Sequence, residues 1–453
     1  MKSTLYTARW VLPVTAPPIE NGAVLVDANG TIAWIGAAQD APTQLAETVA
    51  LGNALLLPGL INVHAHPELG AFRGVLDDLP FHLWIPELMR CKRDAGLSDE
   101  DYLVSAQWTC VESLRNGITA MGATETSGAA VRALHDAGMH GLVYIEAFGP
   151  APAQVDNSVA DVVQRISRVS EFAGDRVRVG ISPHAPYTVS DALFRAVAEI
   201  ARAEALPVAV HAAEAEAEDL LIREGAGPFA AALRARGIDT PPRARSSIEL
   251  LQKTGILDCE PLLIHCVNID RDDIALLADS GSFIAHCPVA NARLGHGVAP
   301  IVAALEAHVG VAIGSDSVAS NNRIDMLGEA HVAQILQRAH ARATGVLPSH
   351  LLLRLVTIDA ARALGIAGRT GSLEVGKDAD LCAVSLDGPG TTPAGAPLDA
   401  LFHAASGSEV VLTIVQGRVL YERGRYTTLD ANDLETRVRV IGGRIEAARR
   451  NGG

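Results

Sequence analysis

The chain has 453 residues, 49% of them hydrophobic, and a formal net charge of −15. That length buries a large core and suits one barrel-sized domain with a smaller one beside it. The acidic balance argues against nucleic acid as a partner, and no uninterrupted apolar run approaches the ~20 residues of a membrane span, which leaves a small molecule as the expected partner.

The six cysteines (Cys91, Cys110, Cys259, Cys266, Cys287 and Cys382) form no CxxC pair. They read as reduced residues of a cytoplasmic protein. The first residues lack the continuous apolar stretch of a secretory signal.

Residues 1–58 alternate in the manner of short strands. Two apolar runs, 22–27 and 31–36, flank Asn29-Gly30, which is a hairpin signal. From Leu55 the pattern changes. The run ending at His64 is followed by short apolar runs at 118–122, 141–147, 177–182, 207–211, 261–266, 282–286 and 311–316. Ala-rich stretches such as 191–204 and 272–280 separate them. Eight strands, each followed by helical sequence, argue for an α/β fold, a (β/α)8 TIM barrel over residues 59–370. A doubly wound sheet is the alternative, but no GxGxxG or GxxxxGK[ST] follows any strand. Strand-like runs return at 380–384, 409–416 and 418–421. Residues 1–58 and 371–437 are therefore expected to build one small β-sandwich domain from both chain ends, with 438–453 as a C-terminal tail.

His64-Ala65-His66 stands at the end of the first barrel strand. Two imidazoles at i and i+2 of an extended segment point the same way. Alone, the pair reads equally well as two polar strand-end histidines. The later strands change that weighing. In such barrels functional residues sit at the C-terminal strand ends. There this chain carries His184 after strand four, His211 at five, His265 at six, His286 at seven and Asp316 at eight. His64, His66, His211 and Asp316 are assigned as ligands of one divalent ion. Zn²⁺ is the first choice, and Fe²⁺ and Mn²⁺ suit the same donors. A catalytic ion of this kind keeps a position for water and lowers its pKa toward ~7. Glu214, three residues after His211, is close enough to serve as a proton shuttle without binding the ion. The plainer reading is that it opens an acidic run with Glu216, Glu218 and Asp219. A binuclear site would need a lysine at the end of strand four, and the only lysines are Lys2, Lys92, Lys253 and Lys377.

The segments 58–66, 211–214, 263–268 and 314–322 resemble the mononuclear deaminase branch of the amidohydrolase superfamily. The resemblance covers nearly the whole chain, including 371–380, where the family chain re-enters its sandwich. It implies that Asp316 and His265 activate the metal-bound water. It also implies that Glu214 protonates a ring nitrogen as ammonia leaves. His184 matches a substrate-contacting histidine, His286 a residue at the barrel mouth. The family expectation is a homo-oligomer.

Within that branch, 73–80 and Trp84 resemble the S-adenosylhomocysteine and methylthioadenosine deaminases. Those enzymes carry a ribose-binding Glu a few residues after that Trp, where this chain has Arg93. The segments 84–87, 182–190, 225–228 and 315–320 look closer to aminodeoxyfutalosine deaminases of menaquinone synthesis. A benzoate-bearing substrate wants an Arg, and Arg93 is the candidate. The expected substrate is then 6-aminodeoxyfutalosine. Alternatives are S-adenosylhomocysteine or methylthioadenosine, guanine, cytosine, or a triazine hydrolysed as an amide or chloride. A non-catalytic metal scaffold is the remaining class.

Overall fold

A computed structural model describes residues 2–42 and 46–451. The eight expected barrel strands are all present. They are Leu60–Ala65, Ile118–Glu125, His140–Ala147, Val177–Pro183, Ala209–Ala212, Leu262–His265, Phe283–His286 and Gly310–Ile313. Strands one to four form one parallel ladder and five to eight another. A parallel bridge between Ile181 and Val208 joins the two ladders. The ring closes where the amides of Ser315 and Asp316 donate to the His64 carbonyl at 3.1 and 2.9 Å. Closure therefore passes through a predicted metal ligand.

Side-chain alternation explains how this ring packs. On strand three Val143 and Ile145 join the core beneath the helices, together with Val131 and Leu134. Leu142 and Tyr144 join a second cluster with Leu262 and Ile264 from across the barrel. Period two thus splits each strand between an outer and an inner face. Gly314 is required at the closure: a Cβ there would sit 2.8 Å from the His64 Cβ. Gly59 is similarly confined, with a Cβ placed 2.1 Å from the Thr119 hydroxyl.

Helix ends follow local chemistry. Ser98 and Asp101 form a reciprocal capping box at the start of Asp99–Arg115. Ser190 caps Asp191–Glu204, and Asp325 caps Met326–Ala341.

The chain ends build one continuous nine-stranded mixed sheet. The Asn29-Gly30 hairpin forms, with Val26 paired to Ile32. Strand Ala54–Pro58 sits between Thr4–Val11 and Leu381–Ser385. Its Leu55 and Leu57 face the barrel core, and Leu56 faces the sheet's own core. A buried pair also links the layers: His140 Nε2 lies 3.1 Å from Asp380 Oδ2. Residues 438–453, expected as a tail, contain most of a helix, Ala431–Arg450, that begins before that boundary and packs on Asp99–Arg115. Its Leu434, Val438, Ile441 and Ile445 are buried, and their spacing of three and four marks one helical face. Among the described residues no helix is long and apolar enough to cross a membrane.

Candidate metal centre and active site

His64 is the penultimate residue of strand one, and His66 lies one residue past the strand's end. Their Nε2 atoms stand 3.4 and 3.5 Å from the same oxygen, Asp316 Oδ1. His211 joins them from strand five. Donor atoms of His64, His66 and His211 all lie within 4.8 Å of one another. A single ion bound at ~2.0–2.2 Å from each donor matches such a cluster. His64 Nε2 is buried and has no hydrogen-bond partner among the described residues, as expected of an atom reserved for a ligand bond.

The protonation states suit a metal. Burial, then the His64 ring, holds the His66 imidazole down at about 3. Burial, then the rings of His184 and His64, lowers His211 well below its ordinary range. Burial acts to raise the Asp316 carboxyl, but the imidazoles of His64, His66 and His265 outweigh it and hold it ionised. Neutral imidazoles and an ionised carboxylate are the ligating forms. Asp316 sits at φ +60°. It accepts from Ser320 Oγ and the Ser317 amide, both at 2.7 Å. These bonds fix its orientation.

A second group of donors, Glu146, His184 and His211, also lies within 4.8 Å. It does not make a second metal site. His211 Nδ1 faces the His184 carbonyl at 3.1 Å, so it carries the proton and leaves one lone pair, on Nε2. That lone pair serves the first cluster, which leaves Glu146 and His184 too few to hold another ion.

Glu214 is 3% exposed and sits at the centre of a polar knot. Its Oε1 lies 3.4 Å from both His265 Nε2 and His296 Nε2. Tyr187 donates its hydroxyl to Glu214 Oε2 at 3.3 Å. Burial acts to raise this carboxyl, and His265 and His296 overcome it, so it lies below its ordinary value. The neighbouring acidic run is not a uniform solvated face. Glu218 is fully buried and accepts from the Ala213 and Glu214 amides at 2.8 and 3.1 Å, fixing the turn that aims Glu214. His265 Nδ1 meets Asn291 Oδ1 at 2.9 Å, which leaves its Nε2 toward Glu214.

These groups open into a cavity of about 430 Å³. One wall is the helix Phe81–Asp94, which presents Phe81, Trp84, Ile85, Leu88 and Met89. His184 lies opposite, its Nδ1 2.7 Å from Thr188 Oγ1. Two expected residues are placed elsewhere. Arg93 is 72% exposed, pairs with Asp94 at 3.0 Å, and does not line the cavity. Lys92, one residue earlier, does line it. His286 is buried, neither ring nitrogen has a hydrogen-bond partner among the described residues, and it is absent from the cavity wall. Sequence reasoning gave no role to His296 and Tyr187, because both lie on loops away from strand ends. The one available signal was that Tyr187 is a polar ring in the loop after strand four; His296 follows the short helix Pro288–Arg293.

Residues 55–420 match the family described as the Amidohydrolase family. A 5-methylthioadenosine/S-adenosylhomocysteine deaminase from Moorella thermoacetica is 32% identical over 94% of this chain and 96% of its own length. A 5′-deoxyadenosine deaminase from Methanosarcina barkeri is 31% identical over 91% of this chain and 90% of its own. Among solved structures, an adenosine deaminase from Xanthomonas campestris with bound zinc superposes with a TM-score of 0.85 at 29% identity, covering 98% of both chains. Atrazine chlorohydrolase from Arthrobacter aurescens shares the fold, with a TM-score of 0.83 at 24% identity over 97% of this chain and all of that one. The clustered imidazoles at the barrel mouth and these near full-length matches have one conclusion: the chain belongs to the amidohydrolase family.

Proposed function

We propose that this chain is a metal-dependent aminohydrolase of 6-aminopurine nucleosides, with adenosines altered at the 5′ position as its substrate class. The observation that carries the reading is Glu214, held between His265, His296 and Tyr187 beside the His64, His66, His211 and Asp316 cluster. His64, His66, His211 and Asp316 would hold the ion, zinc being the first choice. When bound, it supplies a Lewis acid that activates water for attack on the amino-bearing carbon. Asp316 and His265 take the proton that this attack releases. Glu214, ionised in the free site, carries the water's other proton to the ring nitrogen next to that carbon, and Asp316 with His265 passes the proton it took to the exocyclic amine, which departs as ammonia. The aromatic and aliphatic wall around Trp84 shields the purine from water and accepts its faces.

The curated relatives favour methylthioadenosine, S-adenosylhomocysteine or 5′-deoxyadenosine over 6-aminodeoxyfutalosine. The benzoate of the latter needs a cation, and Arg93 turns to Asp94. Lys92 is the single Lys or Arg among the residues lining the cavity. Ammonia release from metal-replete protein tests the proposal. The panel is adenosine, 5′-deoxyadenosine, methylthioadenosine, S-adenosylhomocysteine, 6-aminodeoxyfutalosine, guanine, cytosine and a triazine. Fastest turnover on a 5′-altered adenosine supports the reading, and no release from any adenine nucleoside overturns it.

A further inference from the structure

Glu214 stands between two imidazoles that cannot both do the same work. His265 Nδ1 faces Asn291 Oδ1 at 2.9 Å and so carries the ring hydrogen. Burial, more than any charge nearby, lowers this imidazole and keeps it neutral at pH 7. In a neutral ring with its hydrogen on Nδ1, the other nitrogen is a bare lone pair. That lone pair and Glu214 Oε1 lie 3.4 Å apart, two acceptors with no hydrogen between them. A nitrogen free to take a proton is what the His265 role requires. It leaves Glu214 Oε1 in need of a donor from another direction.

Tyr187 does not supply that donor, because its hydroxyl reaches Oε2. His296 does face Oε1. Its Nε2 lies 3.4 Å from that oxygen, and Glu214 is the one acidic group within ion-pair range of this ring among the described residues. The Nε2 atom is buried and has no hydrogen-bond partner among the described residues, so no other acceptor competes for it. The ring is 3% exposed and does not line the cavity. Phe81, which does line it, packs against His296 edge to face at 4.7 Å. His296 therefore reaches the reaction only through Glu214. The backbone sets its place, since the His296 amide donates to the Asn291 carbonyl at 2.9 Å. Asn291 thus fixes both imidazoles beside Glu214, one by its side chain and the other by its carbonyl. At 3.4 Å the contact is longer than an ordinary N–H···O bond. Such bonds in catalytic sites are often long in the ligand-free state and tighten with substrate in place.

Building on the proton-shuttle reading of Glu214, we propose that His296 is its positioning residue. The Nε2–H holds Glu214 Oε1 from outside the cavity, which keeps the carboxylate aimed inward while His265 exchanges a proton of its own. The test is a double-mutant cycle on the best adenosine derivative, with kcat, KM, bound metal and thermal midpoint measured for each variant. His296→Phe keeps a ring beside Phe81, His296→Leu puts a smaller apolar group there, and neither brings an N–H. Each should lower kcat about 10- to 100-fold with KM little changed, the range for losing a hydrogen bond to a charged group. His296→Gln, whose amide still donates, should keep more of the wild-type kcat than either. In the Glu214→Gln background, His296→Phe and His296→Leu should cost nothing further. An equal loss in both backgrounds means that His296 only packs, and no loss in the wild-type background means that it does nothing for Glu214; either overturns the assignment. A Glu214→Gln variant as fast as wild type overturns the shuttle reading itself, and that result is read without any change at His296.

Discussion

Replacing Glu214 with Gln removes a proton carrier while changing almost no volume. The side chain is 3% exposed and surrounded by His265, His296 and Tyr187, so the amide has no room to swing away. It also has nowhere to obtain a replacement acid. Positioned general acid–base groups contribute ~10²- to 10⁴-fold to a rate. At 1.36 kcal/mol per factor of ten, that is about 3–5.5 kcal/mol of barrier. The expected result for Glu214→Gln is a fall in kcat of that size on the best adenosine derivative, with KM little altered. Bound metal should stay at the wild-type level, since Glu214 contacts imidazoles outside the ligand set. Coupled ammonia release gives kcat, and elemental analysis gives the metal. A kcat within tenfold of wild type, at full metal content, refutes the proton-shuttle role. Loss of the metal would instead make Glu214 a ligand.

His66→Ala removes one of four converging donors, so metal content per chain should fall well below wild type, and stoichiometric metal in that variant would sink the ligand assignment. Arg93→Ala should leave kcat/KM unchanged on every substrate, because this side chain is 72% exposed and faces Asp94; a loss confined to carboxylate-bearing substrates would contradict the structure. Asp380→Asn breaks a fully buried pair with His140 and should cost about 3–5 kcal/mol at neutral pH. Burial acts to raise the Asp380 carboxyl, but His140 and the Gln416 amide hold it below its ordinary value in the fold. A depressed folded value stabilises above the unfolded pKa of ~3.9 and loses that contribution as pH falls further. The gap between wild type and Asp380→Asn in urea midpoint should hold down to about pH 5 and shrink below about pH 4; a gap that stays constant to pH 3 would exclude the pairing as its cause.

Barrel strands were legible because each is a short apolar run bounded by polar sequence, and the strand order follows the chain. His64, His66, His211, His265 and Asp316 were legible for the same reason: a strand end fixes where its last side chain goes. Helices and loops offer no such frame. On the helix Phe81–Asp94 each residue turns roughly 100° from the last, so a one-residue difference carries Arg93 to solvent and Lys92 to the cavity. His296 and Tyr187 reach Glu214 through long-range packing, on loops whose paths no local pattern sets. Glu146 was hidden inside a strand that reads as apolar. The eight strands and their terminal imidazoles were thus determined by sequence alone, since alternation and strand ends are local properties. The surroundings of Glu214, the direction of Arg93 and the burial of Glu146 beside His184 were decided by tertiary structure, because each depends on which distant side chain is brought alongside.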